Sequence, residues 1–257
     1  MQIEPIKAFS DNYIWLLHDN SKAWVVDPGD AQPVISTLME KGLELEGIII
    51  THHHFDHTGG VELLTKQFPQ LVITGPQSEH FTNITRTMTN GDAVEVLGCT
   101  FTVIEVPGHT LDHIAYYCSE SPAGEILLCG DTLFAGGCGR VFEGTAAMMR
   151  ASLNKLGTLP ATTKVYCAHE YTLANLAFAA VVEPNNKVLI QRLEHCSQLR
   201  QQNKATVPST IAAELATNPF MRSSEPTVIS AALVKNPSCS NDEDAVFTEI
   251  RQWKNDF

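Results

Sequence analysis

Gly47-Ile48-Ile49-Ile50-Thr51-His52-His53-His54-Phe55-Asp56-His57 is the stretch that decides how this chain is read. A short β-branched apolar run reads as a buried strand. Directly after it come four imidazoles and one carboxylate within residues 52–57. Protonated imidazoles packed this closely would repel one another, so a solvated cluster has no physical reason to be this dense. Imidazole nitrogen and carboxylate oxygen are the ligands that borderline divalent metals such as zinc take. On a tight turn at a strand end, side chains point in different directions, so the pattern H-x-H-x-D-H offers ligands to two neighbouring ions. His52 and His54 would take one, Asp56 and His57 the other. His53, between two ligands, is expected to face away from both.

The arrangement recurs along the chain. Residues 102–106 read as a strand, stopped by Pro107-Gly108 and followed at once by His109. The apolar run 125–129 ends in Gly130 and Asp131, and the run 163–167 is followed by Ala168 and His169. One edge of a sheet protein collects such strand-end loops into a site. Any one of these residues alone reads as a turn or capping residue; together with the histidine cluster they read as further metal ligands.

Composition bounds the rest. A chain of 257 residues, 44% hydrophobic and 18% charged, has ample material for one large domain or two unequal ones. Its start shows no basic, apolar leader pattern and no apolar run reaches membrane-spanning length. The seven cysteines are scattered and lack any C-x-x-C, as expected of reduced, mostly buried thiols in a cytosol. A net charge of −12 argues against a nucleic-acid or anionic-membrane partner and requires a local basic pocket for any anionic substrate.

Two regimes divide the sequence. Up to about residue 169, short strands at 14–17, 23–26, 48–50, 71–73, 101–106, 114–117, 126–129 and 164–167 alternate with helical stretches near 33–41, 60–68 and 146–156. This spacing predicts stacked α/β layers. Beyond residue 170 the period becomes helical: Leu189, Leu193, Cys196 and Leu199 share one face. Ser240 with Glu243 has capping-box spacing before a last helix whose Val246, Ile250 and Trp253 share another.

The T-H-H-H-x-D-H segment, with its later strand-end His, Asp and His, resembles the metallo-β-lactamase superfamily. The resemblance implies an α/β fold, an αβ/βα sandwich of two sheets between helices, with a smaller all-helical C-terminal domain. The expected boundaries are 1–169 for the catalytic domain and 170–257 for the helical, substrate-binding one. Within the superfamily the whole chain is similar to the glyoxalase II, or hydroxyacylglutathione hydrolase, family. The residues that carry this are Asp11-Asn12-Tyr13, Val26-Asp27-Pro28-Gly29, Thr58-Gly59-Gly60 after the histidines, Pro107-Gly108-His109-Thr110 and Gly130-Asp131-Thr132-Leu133-Phe134. Further on come Gly136-Gly137-Cys138-Gly139-Arg140, Phe142-Glu143-Gly144-Thr145, Ala168-His169-Glu170-Tyr171-Thr172, Asn218-Pro219-Phe220-Met221-Arg222, and Arg251 with Lys254.

The resemblance implies two divalent metal ions, zinc in the first place, with iron or manganese as alternatives. His52, His54 and His109 would hold the first, Asp56, His57 and His169 the second, and Asp131 would bridge them. Asp56 and Asp131 are the implied catalytic carboxylates. The reaction is hydrolysis of the thioester S-D-lactoylglutathione, and of related 2-hydroxyacylglutathiones, by a metal-held hydroxide; this is the second step of methylglyoxal detoxification. A single-iron glutathione persulfide dioxygenase is the alternative. Arg140, Tyr171, Arg251 and Lys254 map onto the family's glutathione contacts, although a solvated helix flank is an equally simple reading of the last two. Arg140 and Phe142 depart from the family's lysine and tyrosine, so the contact at position 142 either involves only the backbone or is absent. A cytoplasmic monomer acting on a small glutathione thioester, without nucleic acid or membrane, completes the expectation. Asp27 reads most simply as a turn residue, Cys138 as structural, His113 as a core imidazole, and His18, His80 and His195 as ordinary.

Overall fold

Residues 1–257 of the computed structural model form two compact units. The first comprises Met1–Glu105 and Asp112–Gly130, the second Val106–Leu111 and Asp131–Phe257.

In the first sheet of the first unit, three-residue loops join antiparallel neighbours, while helical segments or a longer loop join the parallel ones. Strands β1 (Gln2–Ala8), β2 (Asn12–His18) and β3 (Lys22–Val26) pair antiparallel through three-residue connections. At the second of these, Asp19 accepts from the backbone N–H groups of Ser21 and Lys22 at 2.8 Å each, which holds its carboxyl below the usual range. Helix α1 (Ala31–Lys41) then crosses over to β4 (Glu44–Ile49). The single turn α2 (Phe55–Thr58) and helix α3 (Val61–Gln67) lead to β5 (Val72–Pro76), followed by β6 (Arg86–Met88). The pairings β3–β4, β4–β5 and β5–β6 are parallel, completing a six-stranded sheet in sequence order. Asp30 caps α1 by accepting from the Gln32 N–H, and Gly42 ends it in the left-handed region at φ 65°. Val34 and Leu38 of α1 and Val61 and Leu64 of α3 bury against Leu16, Val25, Ile48 and Ile50. Full burial of each such side chain contributes about 1.5–3 kcal/mol.

The same unit holds β7 (Ala93–Val96), β8 (Cys99–Glu105), β9 (Ile114–Cys118) and β10 (Ile126–Gly130), antiparallel neighbours in that order. Leu97 and Gly98, both at positive φ, make the two-residue turn between β7 and β8. Tyr116 of β9 donates to the Ile50 carbonyl at 2.8 Å, and burial pushes its phenol well above the usual range. Strands β1 and β7 are absent from the sequence expectation. Glu4, Pro5 and Lys7 break the apolar run in one, and only Val94 and Val96 are buried in the other.

In the second unit, β11 (Leu133–Phe134) and β12 (Gly137–Cys138) form a small hairpin. Helix α4 (Ala146–Gly157) follows, capped by Thr145, and then β13 (Lys164–Cys167). Helices α5 (Thr172–Val182) and α6 (Lys187–Gln201) pack through Leu176, Ala179, Leu189 and Cys196. Strand β14 (Ser209–Thr210) pairs antiparallel with β13, and α7 (Ile211–Thr217), α8 (Pro226–Lys235) and α9 (Glu243–Asn255) complete the unit. The cap of α9 differs from the expected Ser240/Glu243 box. Asp242 accepts from the N–H groups of Asp244 and Ala245, because the helix begins at Glu243 and not two residues earlier.

Candidate metal centre

The first unit carries its candidate ligands on the turn after β4. Asp27, at the end of β3 with φ 53°, turns its buried carboxylate onto that turn. It accepts from the Thr51 N–H and hydroxyl at 2.8 Å each and lies 3.1 Å from His57 Nδ1. A carboxylate can only accept, so the protons sit on Thr51 Oγ1 and on His57 Nδ1, leaving His57 Nε2 with the lone pair. The Thr51 hydroxyl, having given its proton to Asp27, acts as acceptor for His52 Nδ1 at 3.0 Å, which leaves the lone pair of His52 on Nε2 as well. That Nε2 lies 3.1 Å from His54 Nδ1. The turn α2 places Asp56 beside His57, with Oδ2 3.4 Å from His57 Nε2. Asn12 donates to the same Oδ2 at 3.0 Å. The chain can run this way only because position 29 is glycine: a Cβ there would lie 1.9 Å from the Asp56 carbonyl oxygen.

The second unit, taken by itself, holds the candidate ligands His109, Asp131 and His169. His109 Nδ1 donates to the Arg140 carbonyl at 2.8 Å, so its Nε2 carries the lone pair, 3.4 Å from Asp131 Oδ2. The other Asp131 oxygen lies 3.3 Å from His169 Nε2. One carboxylate thus presents its two oxygens to two imidazoles. The His169 ring stacks on Tyr171 at 4.7 Å and 3°. Gly139 lies against this group, where a Cβ would be 2.0 Å from the Asp131 carbonyl oxygen.

These separations suit a metal. Two ligand atoms, each about 2.0–2.1 Å from an ion at tetrahedral angles, stand about 3.3 Å apart, whereas good N–H···O bonds run about 2.7–3.2 Å. The donor set, imidazole nitrogen and carboxylate oxygen with tautomers already set by outer hydrogen bonds, accepts a divalent transition ion.

Around the glycine segment 136–139, buried polar groups do the holding. Gly136 N–H donates to Glu214 Oε2 at 2.8 Å, and Asn218 donates to that oxygen at 3.0 Å and to the Gly137 carbonyl at 2.9 Å. The other Glu214 oxygen receives Arg192 and Ser209. Arg251 donates from Nη1 to the Cys138 carbonyl at 3.0 Å and from Nη2 to Asn255 at 3.2 Å, its guanidinium 4.8 Å over the Phe220 ring. Arg251 is therefore buried, not on a solvated flank: its long side chain reaches the Cys138 carbonyl of β12.

The other expected contacts are more open. Lys254 donates to the Ala174 carbonyl at 3.2 Å between the Phe178 and Phe257 rings; burial first, then the charges of Arg251 and Arg140, push its amine below the usual lysine range. Arg140 and Tyr171 are both exposed. Phe142 is exposed, sets its ring edge-on to His109 at 5.2 Å, and donates its N–H to the His109 carbonyl. Cys138 is buried, which raises its thiol pKa. His113 is buried and stacks on His52 at 4.6 Å, while His53 turns to Asp112. Sequence reasoning did not foresee Asn12 on Asp56 or Glu214 under Gly136, and it gave Asp27 the lesser role. Only the aspartate–glycine spacing at 27–29 signalled any of this.

Residues 9–169 match the metallo-beta-lactamase superfamily, and residues 170–257 match the family described as hydroxyacylglutathione hydrolase C-terminus. Hydroxyacylglutathione hydrolase of Albidiferax ferrireducens is 49% identical over 257 residues, covering 100% of both chains. The enzyme of the same name from Ectopseudomonas mendocina is 50% identical over 260 residues, again covering 100% of each. The chain belongs to the hydroxyacylglutathione hydrolase family. Hydroxyacylglutathione hydrolases are metallohydrolases of the metallo-β-lactamase fold, and solved structures bear out that fold for this chain. ETHE1 from Myxococcus xanthus superposes with a TM-score of 0.65 at 23% identity, covering 97% of this chain and 90% of its own. The B3 metallo-beta-lactamase BLEG-1 gives 0.61 at 23% identity, covering 86% and 98%.

Proposed function

We propose that this hydroxyacylglutathione hydrolase cleaves S-D-lactoylglutathione and related 2-hydroxyacylglutathiones to the hydroxy acid and glutathione. The observation that carries the reading is half-identity over the full length to hydroxyacylglutathione hydrolases. Two divalent ions, zinc foremost and iron or manganese compatible, would be held by His52, His54 and His109 and by Asp56, His57 and His169, with Asp131 between them. Bound there, such ions supply an acidified water and polarisation of the thioester carbonyl. Asp27 and Thr51 keep His52 and His57 in the tautomer that binds. Asn12 holds Asp56, whose second role is to orient the attacking water. Glutathione leaves as a thiolate of pKa about 8.5, so no strong general acid is required.

Arg140, Tyr171 and Lys254 would receive the glutathione carboxylates and backbone, while Arg251 adds charge from below and fixes the loop that carries Arg140. On this reading residues 1–169 are the catalytic domain and 170–257 the substrate-binding one. The enzyme acts as a cytoplasmic monomer without nucleic-acid or membrane partners. Its seven cysteines are all free and its net charge is −12, which supports the compartment and the absence of nucleic acid. No helix is long and apolar enough to cross a membrane.

The test sets S-D-lactoylglutathione hydrolysis beside oxygen uptake with glutathione persulfide. Thioester cleavage is expected, with Asp131→Asn losing both bound metal and turnover while remaining folded. Oxygen uptake in place of cleavage, or full turnover by Asp131→Asn, would overturn the reading.

A further inference from the structure

Of the imidazoles in residues 52–57, His53 has no part in the centre described above. Its Nδ1 lies 2.9 and 3.0 Å from the two oxygens of Asp112, and both side chains are only 11% exposed. A carboxylate accepts only, so Nδ1 carries the proton and Nε2 the lone pair. A carboxylate behind an imidazole in this way fixes the ring and its tautomer, the arrangement found behind metal-binding histidines. His80, from the loop between β5 and β6, brings an exposed second imidazole to the same place. The ring centroids are 4.6 Å apart and tilted by 38°, and a ring nitrogen of each lies within 4.8 Å of the other. The rings are too inclined for parallel stacking.

We propose that His53 and His80, with Asp112 behind His53, form an auxiliary site for a borderline divalent cation such as zinc. Water would complete the coordination sphere, as suits an open site with two imidazole ligands. The net charge of −12 draws cations to the surface. The His53 ring centroid is 6.5 Å from that of His52 and 5.1 Å from that of His54, so the auxiliary ion borders the catalytic ligands without sharing them.

The inference is independent of the substrate, and zinc stoichiometry tests it. Enzyme loaded with its catalytic ions is dialysed against graded zinc, and bound zinc per chain is measured by elemental analysis. The wild-type protein should take one equivalent beyond its catalytic complement. His80→Ala should weaken that step about tenfold or more, Asp112→Asn by a similar factor, and His195→Ala, which removes an exposed histidine elsewhere, not at all. Because His80 is exposed, its variant keeps the fold and the turnover of the loaded enzyme. No further equivalent in the wild type, the same uptake by His80→Ala, or equal loss in His195→Ala would overturn the site.

Discussion

At the scale of single residues, Asp27 stands behind two of the candidate metal ligands, His57 directly and His52 through the Thr51 hydroxyl. His52, His54, Asp56 and His57 announce themselves because their chemistry is crowded into one short segment. Asp27 does not, since an aspartate before Pro28-Gly29 serves equally well as a turn residue. Its buried carboxylate gathers the Thr51 N–H, the Thr51 hydroxyl and His57 Nδ1, and so determines which nitrogen of two imidazoles is left for a metal. Asp27→Asn keeps the shape but replaces one acceptor oxygen by a donor, so at least one of these contacts becomes donor against donor. Metal affinity should fall by about 10–100-fold with the fold retained, as measured by competition with a chromogenic chelator. Affinity equal to that of the wild type would mean that the tautomers are set without Asp27.

At the scale of elements, apolar periodicity located the inner strands and the long helices, but it missed strands whose burial is thin, such as β1 and β7. Helix α9 shows the complementary error. Its apolar face is correctly read at Val246 and Ile250, yet Arg251 beside them is buried because its guanidinium spans to the Cys138 carbonyl. Lys254 on the same helix keeps a more open position but a destabilised charge, for burial and the nearby Arg251 and Arg140 oppose its protonated form. The sign is definite: an amine with a lowered pKa loses its proton at a lower pH than an ordinary lysine. Binding that relies on its charge is therefore present at low pH and is lost, as pH rises, sooner than it would be with an ordinary lysine. KM for the glutathione thioester should rise over that loss with kcat little changed, and Lys254→Arg should flatten the rise because a guanidinium stays charged. Lys254→Ala should raise KM by about 5–30-fold at neutral pH, the equivalent of about 1–2 kcal/mol for a charged contact. Superimposable KM–pH curves for the wild type and Lys254→Arg would remove Lys254 from substrate binding.

At the scale of the whole molecule, all seven cysteines are free, and all except Cys239 are buried. Burial raises the thiol of Cys138 and pushes that of Cys167 up to about 12, so neither supplies thiolate near neutral pH. Iodoacetamide should modify the native protein at Cys239 alone, slowly and without loss of activity, as read by peptide mass spectrometry; rapid labelling of Cys138 would show that the glycine segment opens. The sequence by itself determined the α/β class, the family and the supply of imidazole and carboxylate at strand ends, because these follow from residue type and local spacing. Only the tertiary structure decided what those groups face. Asp27 meets His57 from 30 residues away, Gly136 meets Glu214 from 78, and Arg251 meets Cys138 from 113. Hydrogen bonds between such distant positions leave no period in the chain, since a buried polar group is satisfied by whatever the fold brings to it, and not by its neighbours in sequence.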